Sequence, residues 1–384
     1  MVPVPSRLPV RQDLADASPY GAPVLAVPVR LNVNENPYPP PPEVVAEVTA
    51  AVTAAVEHLN RYPDRDFSSL RGALAEYLGR EANAPWLTAG HMWAANGSNE
   101  VMHHVFQAFG GPGRTAVSFS PSYSMYPQYA RDTHTRWATA PRRADFTLDL
   151  SAALDLIERE SPSVIVLASP NNPTGTAVRL DEIASLAEAT LGRGEEARAV
   201  IVVDEAYAEF RGPGKPSAVE LLATYPHLAV ARTMSKAFAF AGARVGYLAA
   251  APDLVDVLRV VRLPYHLSSL TQAAALAALR HADALLAGVE ALRRGRDRMV
   301  RELRGRRNPA TGQALDVADS DANFVLFGRF EDRHAVWRAL LGEGVLIREV
   351  GPEGWLRVSI GTCEENTAFL TALDRTLATL EVPA

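Results

Sequence analysis

The chain of 384 residues contains a single cysteine, Cys363. One thiol excludes an internal disulfide and a thiolate metal cluster, and it indicates no redox role. No stretch approaches the ~20 consecutive apolar residues needed to cross a bilayer. The opening Met1-Val-Pro-Val-Pro-Ser-Arg7 lacks the charged region and long apolar core of a secretory leader, so the expected location is the cytoplasm. Long basic runs are missing too, and a net charge of −6 argues against nucleic acid or an anionic membrane as the main partner. Any bound anion must therefore be held locally. No Gly-x-Gly-x-x-Gly follows a strand-like run, which argues against a dinucleotide-binding dehydrogenase. His103 and His104 have no third ligand at metal spacing, so they read as surface or helix-face residues and no metal is expected.

What is present has the balance of a soluble globule, 48% hydrophobic and 21% charged. The length exceeds one ordinary core, which predicts two lobes. Residues 1–30 are proline-rich and read as an extended arm. Residues 31–265 open with a stiff connector, Pro37 to Pro42, and a helix over Glu43 to Leu59. Helical stretches then alternate with short apolar runs at 115–119, 164–168, 200–203, 228–230 and 245–248. That alternation predicts an α/β fold, a large domain whose mostly parallel sheet is flanked by helices. Residues 266–384 supply a linking helix, one long or two in series over Ser268 to Arg304, and a smaller α+β domain with a helix over His334 to Leu341. Charged, glycine-containing stretches at 192–198 and 305–313 read as surface loops.

Three segments carry chemistry. Arg232-Thr-Met-Ser-Lys236-Ala-Phe-Ala-Phe-Ala-Gly-Ala-Arg244 sets one lysine among small apolar residues beside a hydroxyl and a second cation. A lysine desolvated next to another positive charge gives up its proton more easily and becomes an amine nucleophile able to form a Schiff base. Ala199-Val-Ile-Val-Val-Asp204-Glu-Ala-Tyr207 reads as a strand buried on both faces with an acid at its end, where ligands of open parallel sheets gather. Val164-Ile-Val-Leu-Ala-Ser-Pro-Asn171-Asn172-Pro-Thr-Gly175 repeats the arrangement with amides at the strand end. Either ending taken singly is also an ordinary turn, where Asp and Asn bond locally.

Pyridoxal phosphate joins the three. It needs an amine for its aldehyde, a carboxylate for its ring nitrogen, donors for its phenolate oxygen and a phosphate cradle. Lys236, Asp204, and the pair Asn172 and Tyr207 answer the first three. Asn96-Gly97-Ser98-Asn99-Glu100 precedes a helix whose first amides would form an anion site, although a plain N-cap reads the same way. Ser235 and Arg244 would add a hydroxyl and a charge-assisted contact.

Ser-Pro-Asn-Asn-Pro-Thr-Gly, Val-Asp-Glu-Ala-Tyr and Ser-Lys-Ala-Phe with Gly-Ala-Arg resemble class II aminotransferases of fold type I. Leu31-Asn-Val-Asn34-Glu-Asn36-Pro-Tyr, Arg61-Tyr62-Pro-Asp, Arg232-Thr-Met-Ser-Lys and Asp321-Ala-Asn323-Phe narrow the resemblance to histidinol-phosphate aminotransferases, in order from about Tyr20 to Gly361. The resemblance implies Gly97, Ser98, Asn99, Ser235 and Arg244 as the phosphate cradle, and Tyr123, in preference to Tyr126, as the residue stacked on the cofactor ring. It implies that Tyr62 reaches the phosphate of a partner subunit, hence a homodimer with shared active sites.

For the substrate, Arg357 lies on an apolar run, where an arginine is costly unless paired. An incoming carboxylate or an internal salt bridge would each suit it, and the resemblance favours the carboxylate. Arg348 would be the second anion clamp, and Tyr20, Asn34 and Asn36 would line the pocket from the arm side, with Asn323 opposite. The implied reaction is transamination of L-histidinol phosphate with 2-oxoglutarate to imidazole-acetol phosphate and L-glutamate, with Lys236 holding the resting cofactor and then serving as base, assisted by Asp204 and Tyr207. Rivals within the fold are an aromatic amino-acid aminotransferase and a phosphothreonine decarboxylase. A cofactor-binding regulator would need a DNA-binding module, and nothing before Asn34 is long or basic enough.

Overall fold

Aliphatic, β-branched runs with polar punctuation build the centre of the molecule. A computed structural model describes residues 8–15, 17–19, 21–191 and 198–380. Its main sheet has seven strands, ordered Met92–Ala95, Gly246–Ala250, Leu228–Thr233, Val200–Asp204, Val164–Ala168, Thr115–Ser120 and Arg136–Pro141. Gly246–Ala250 is antiparallel to both neighbours, and the other described pairings of this sheet are parallel. The strands Val164–Ala168, Val200–Asp204 and Leu228–Thr233 are buried at every position, as parallel strands covered by helices must be. Arg136–Pro141 is the exposed edge, where a proline does no harm to the ladder. Its half-exposed sequence left no apolar run to read.

The larger core packs on this sheet around Trp93, Phe106, Phe119 and Tyr247. A second core forms around Phe324, Phe327, Leu356 and Phe369. There the antiparallel strands Asp316–Val317, Phe324–Gly328 and Trp355–Ser359 meet the helices Val289–Arg304, Arg333–Gly342 and Cys363–Leu380. The stretch expected as one long helix or two is three pieces, Ser269–Arg280, Ala282–Leu286 and Val289–Arg304, interrupted at His281 and Gly288. Ser268 Oγ caps the first piece by accepting from the Thr271 amide at 3.1 Å. The last piece ties the cores together: Arg293 donates to the Glu209 carbonyl and Arg296 to the Phe210 carbonyl, each at 2.7 Å.

Two expectations need correction or restriction. His104 is not a surface residue: it is buried in the stripe Val101, His104, Val105 of the helix Ser98–Phe109 and accepts from Trp93 Nε1 at 3.2 Å. Burial lowers its pKa to about 4. Of the expected loop at 192–198, residues 192–197 lie outside the described residues. The stretch 305–313 is a turn closed by a bridge between Arg307 and Ala314.

Arg232 is fully buried in its strand and faces three carboxylates, Glu205 at 2.8 Å and Glu81 and Glu209 at 3.1 Å. Glu205 also takes Arg211 at 3.1 Å. Arg232 is thus a structural cation, fixing the carboxyl end of the strand that precedes Lys236.

Candidate active site

The parallel strands deliver their last residues to one edge of the sheet. Val200–Asp204 ends in Asp204, Val164–Ala168 runs into the turn holding Asn172, and Leu228–Thr233 is followed by Met234, Ser235 and Lys236. Met92–Ala95 leads to Gly97 and Ser98, and Thr115–Ser120 to Ser122 and Tyr123. A crevice outside these carboxyl ends is where a sheet of this topology binds ligands. A cavity of about 310 Å³ opens there. Its lining brings together Ser98, Asn99, Tyr123, Asn172, Asp204, Tyr207, Ser235, Lys236 and Arg244 with Asn34, Arg348 and Arg357.

One end of the cavity is built for an anion. Gly97 stands before the twelve-residue helix Ser98–Phe109 with φ 90° and no side-chain cap, which leaves Ser98 and Asn99 at the cavity wall. A methyl group on Gly97 would lie 2.5 Å from Arg244 Nη2, and one on Gly246 only 2.1 Å from the Ser98 amide nitrogen. Both glycines are what let the helix terminus and the guanidinium approach. Arg244 Nη1 is 3.4 Å from Ser235 Oγ, to which it donates.

Lys236 is half-buried, and its Nζ donates to the Val33 carbonyl at 3.0 Å. Burial first, then the charges of Arg357 and Arg244, bring its pKa down to about 8, against an opposing pull from Glu35. The cations that act on it are therefore these two, while Arg232 is held by its carboxylates. The chain has only two lysines, and the other, Lys215, pairs with Asp321 at 2.6 Å. That scarcity was a compositional signal pointing at Lys236.

Asp204 is buried at its strand end, which raises its pKa; hydrogen bonds from Tyr126 Oη to Oδ2 at 2.7 Å and from the Ala206 amide to Oδ1 at 3.2 Å pull the other way. Tyr207 Oη accepts from Asn34 Nδ2 at 3.0 Å and Asn172 Nδ2 at 3.3 Å. Arg357 donates to Asn172 Oδ1 at 2.6 Å and to the Asn32 carbonyl at 2.9 Å, with its guanidinium 5.1 Å from the centre of the Phe324 ring. Arg348 is half-buried and donates to the Gly21 carbonyl at 3.2 Å.

Several expected residues stand elsewhere. Gly97, Asn36 and Asn323 do not line the cavity: the Gly97 amide donates to the Ala95 carbonyl at 2.7 Å, Asn36 Nδ2 holds the Ala237 carbonyl at 3.0 Å, next to Lys236, and Asn323 Nδ2 holds the Asn34 carbonyl at 3.1 Å from behind. Tyr62 is 79% exposed and stacked on Tyr265, ring centres 4.4 Å apart, outside the cavity. Tyr20 lies outside the described residues. Tyr126, passed over in favour of Tyr123, lines the cavity beside it, as do Asn32, Ser122, Thr233 and Val350. Nothing in the local sequence distinguishes Tyr126 from a core tyrosine. Among the described residues no cluster of His, Cys, Asp and Glu could hold a metal, and no helix is long and apolar enough to cross a membrane.

Against known proteins, residues 27–373 match the family model described as aminotransferase class I and II. The histidinol-phosphate aminotransferase of Thermobifida fusca is 56% identical over 366 residues, covering 95% of this chain and 95% of its own. That of Bifidobacterium longum is 52% identical, covering 99% of this chain and 100% of its own. Among solved structures, histidinol-phosphate aminotransferase from Sinorhizobium meliloti, in complex with pyridoxal-5'-phosphate, superposes with a TM-score of 0.78 at 25% identity over 92% of each chain.

Proposed function

The chain belongs to the aminotransferase class I and II family, and we propose that it transaminates L-histidinol phosphate with 2-oxoglutarate, giving imidazole-acetol phosphate and L-glutamate in L-histidine biosynthesis. The observation that carries this reading is that Lys236, its proton affinity reduced, shares one cavity with Asp204 and with an anion cradle at a helix N-terminus.

These residues fit pyridoxal 5'-phosphate. Gly97 and Gly246 let Arg244 and the helix terminus close on one another, so that Ser98, Ser235 and Arg244 gather as donors of the kind a phosphate group takes. Asp204 would hold the ring nitrogen, Asn172 and Tyr207 the phenolate oxygen, Tyr123 the ring face, and Asn99 the remainder of the cradle, with Gly97 shaping the turn before it. When bound, the cofactor supplies an aldehyde for amine exchange and a ring that accepts an electron pair. Lys236 Nζ, neutral in useful amount because burial and Arg357 oppose its protonation, takes the proton from the substrate Cα and carries it away from that carbon as an ammonium. Asp204 holds positive charge near its carboxyl while that proton moves. Tyr207, fixed by Asn34 and Asn172, orients the reacting groups.

Four cationic side chains, Lys236, Arg244, Arg348 and Arg357, face the cavity against one carboxylate, Asp204, which suits doubly anionic ligands. Arg357 and Arg348 receive the phosphate of histidinol phosphate in one half-reaction and a carboxylate of glutamate in the other, with Asn34 beside them and Asn36 and Asn323 in support. The larger unit, 31–265, carries the cofactor groups; the smaller, 266–384, brings the two arginines; and the arm, 1–30, contributes Ala22 to the lining. The enzyme works in the cytoplasm as a homodimer. Tyr62, exposed and backed by Tyr265, reaches the cradle of the second copy.

Steady-state turnover of histidinol phosphate against phenylalanine tests the reading, together with complementation of a histidine auxotroph lacking this step. Histidinol phosphate is the expected substrate, with Lys236→Ala inactive. Equal turnover of phenylalanine would favour an aromatic amino-acid aminotransferase.

A further inference from the structure

A carboxylate as buried as Asp204, 7% exposed, stays ionised only if hydrogen bonds replace its lost water. Besides the Ala206 amide on Oδ1, the donor is the hydroxyl of Tyr126 on Oδ2, at 2.7 Å. Tyr126 is fully buried, at the start of the helix Tyr126–Asp132, with its ring edge-on to Tyr123 at 5.5 Å and 86°. Packing on this scale leaves its hydroxyl one direction.

We propose that Tyr126 is a positioning residue for the reaction: its hydroxyl fixes the rotamer of Asp204 and keeps that carboxylate ionised for the ring nitrogen of the cofactor. The inference rests on the functional reading that assigns Asp204 to the ring nitrogen. With phenylalanine at 126, Oδ2 would face hydrocarbon, the carboxyl would take up a proton more readily, and the ring nitrogen would lose part of its counter-charge. A core tyrosine that merely satisfies its hydroxyl on the nearest acceptor would affect stability and leave the cofactor's properties alone.

Tyr126→Phe, Asp204→Asn and the double variant separate these. The measurements are the dissociation constant of pyridoxal phosphate by equilibrium dialysis, the pH midpoint of its visible absorbance on the protein, and kcat and KM apart. Tyr126→Phe is expected to weaken cofactor binding roughly tenfold, the scale of one hydrogen bond to a charged group. It should also displace the absorbance midpoint, lower kcat more than KM, and add nothing in the Asp204→Asn background. Wild-type affinity and midpoint in Tyr126→Phe, with Asp204→Asn impaired, overturns the inference while sparing the functional reading; so do effects that multiply in the double variant. An unimpaired Asp204→Asn removes both. Should Tyr126→Phe not fold, Tyr126→His carries the test through the midpoint, expected to move, with an unmoved midpoint overturning the inference.

Discussion

Arg357 Nη1 donates to Asn172 Oδ1 at 2.6 Å, fastening the strand Trp355–Ser359 of the smaller core to the turn that follows Val164–Ala168 in the main sheet. Through the same contact a cation is held where it acts on Lys236, and it is the largest cause after burial of that lysine's lowered pKa.

Arg357→Met removes that charge while keeping much of the apolar stem. The pKa of Lys236 is then expected to rise above about 8. The rate of borohydride-trapped attachment of pyridoxal, followed against pH, should show its midpoint shifted to higher pH in the variant. An unmoved midpoint would mean that the charge of Arg357 does not set the lysine's proton affinity.

Gly246→Ala is expected to be more damaging than Gly97→Ala. The added methyl at 246 meets backbone, the Ser98 amide nitrogen at 2.1 Å, whereas at 97 it meets the end of a flexible arginine at 2.5 Å. Alanine at 97 must also hold φ 90°, a strain of about 1–3 kcal/mol. Thermal unfolding should rank the two, and cofactor affinity should fall in both because Ser98 or Arg244 has to withdraw.

The buried His104 gives a pH dependence whose sign is fixed. Its folded pKa, about 4, lies below the ordinary 6.5, so its contribution to stability is complete above pH 6.5 and is lost as pH falls towards 4. His104→Gln keeps an acceptor for Trp93 Nε1 without a titrating ring. Urea midpoints measured from pH 7 to pH 4 should fall less steeply in the variant than in the wild type, and parallel slopes would remove His104 from the acid transition.

Strand ends were the legible part of the site. An acid closing the buried run 200–204, an amide pair after 164–168 and a lysine after 228–233 were each readable, because a parallel strand is marked by its hydrophobic run and its ligand groups follow at once. Asn36 and Asn323 misled because asparagines beside a site read alike whether they face the ligand or hold the backbone behind it. His104 misled because one helix face had not yet been assigned to the core.

The order of residues along the chain determined by itself the alternation that makes a parallel sheet, and the amine, acid and anion-binding turn set at its ends. Those depend on local pattern, since backbone periodicity and turn chemistry act over a few neighbouring residues. Tertiary structure alone decided that Arg357 and Arg244, and not Arg232, act on Lys236, and that Tyr126 donates to Asp204 across 78 positions of sequence. Such contacts join side chains from separate strands and loops, and only the packing of one element on another brings their charges within reach.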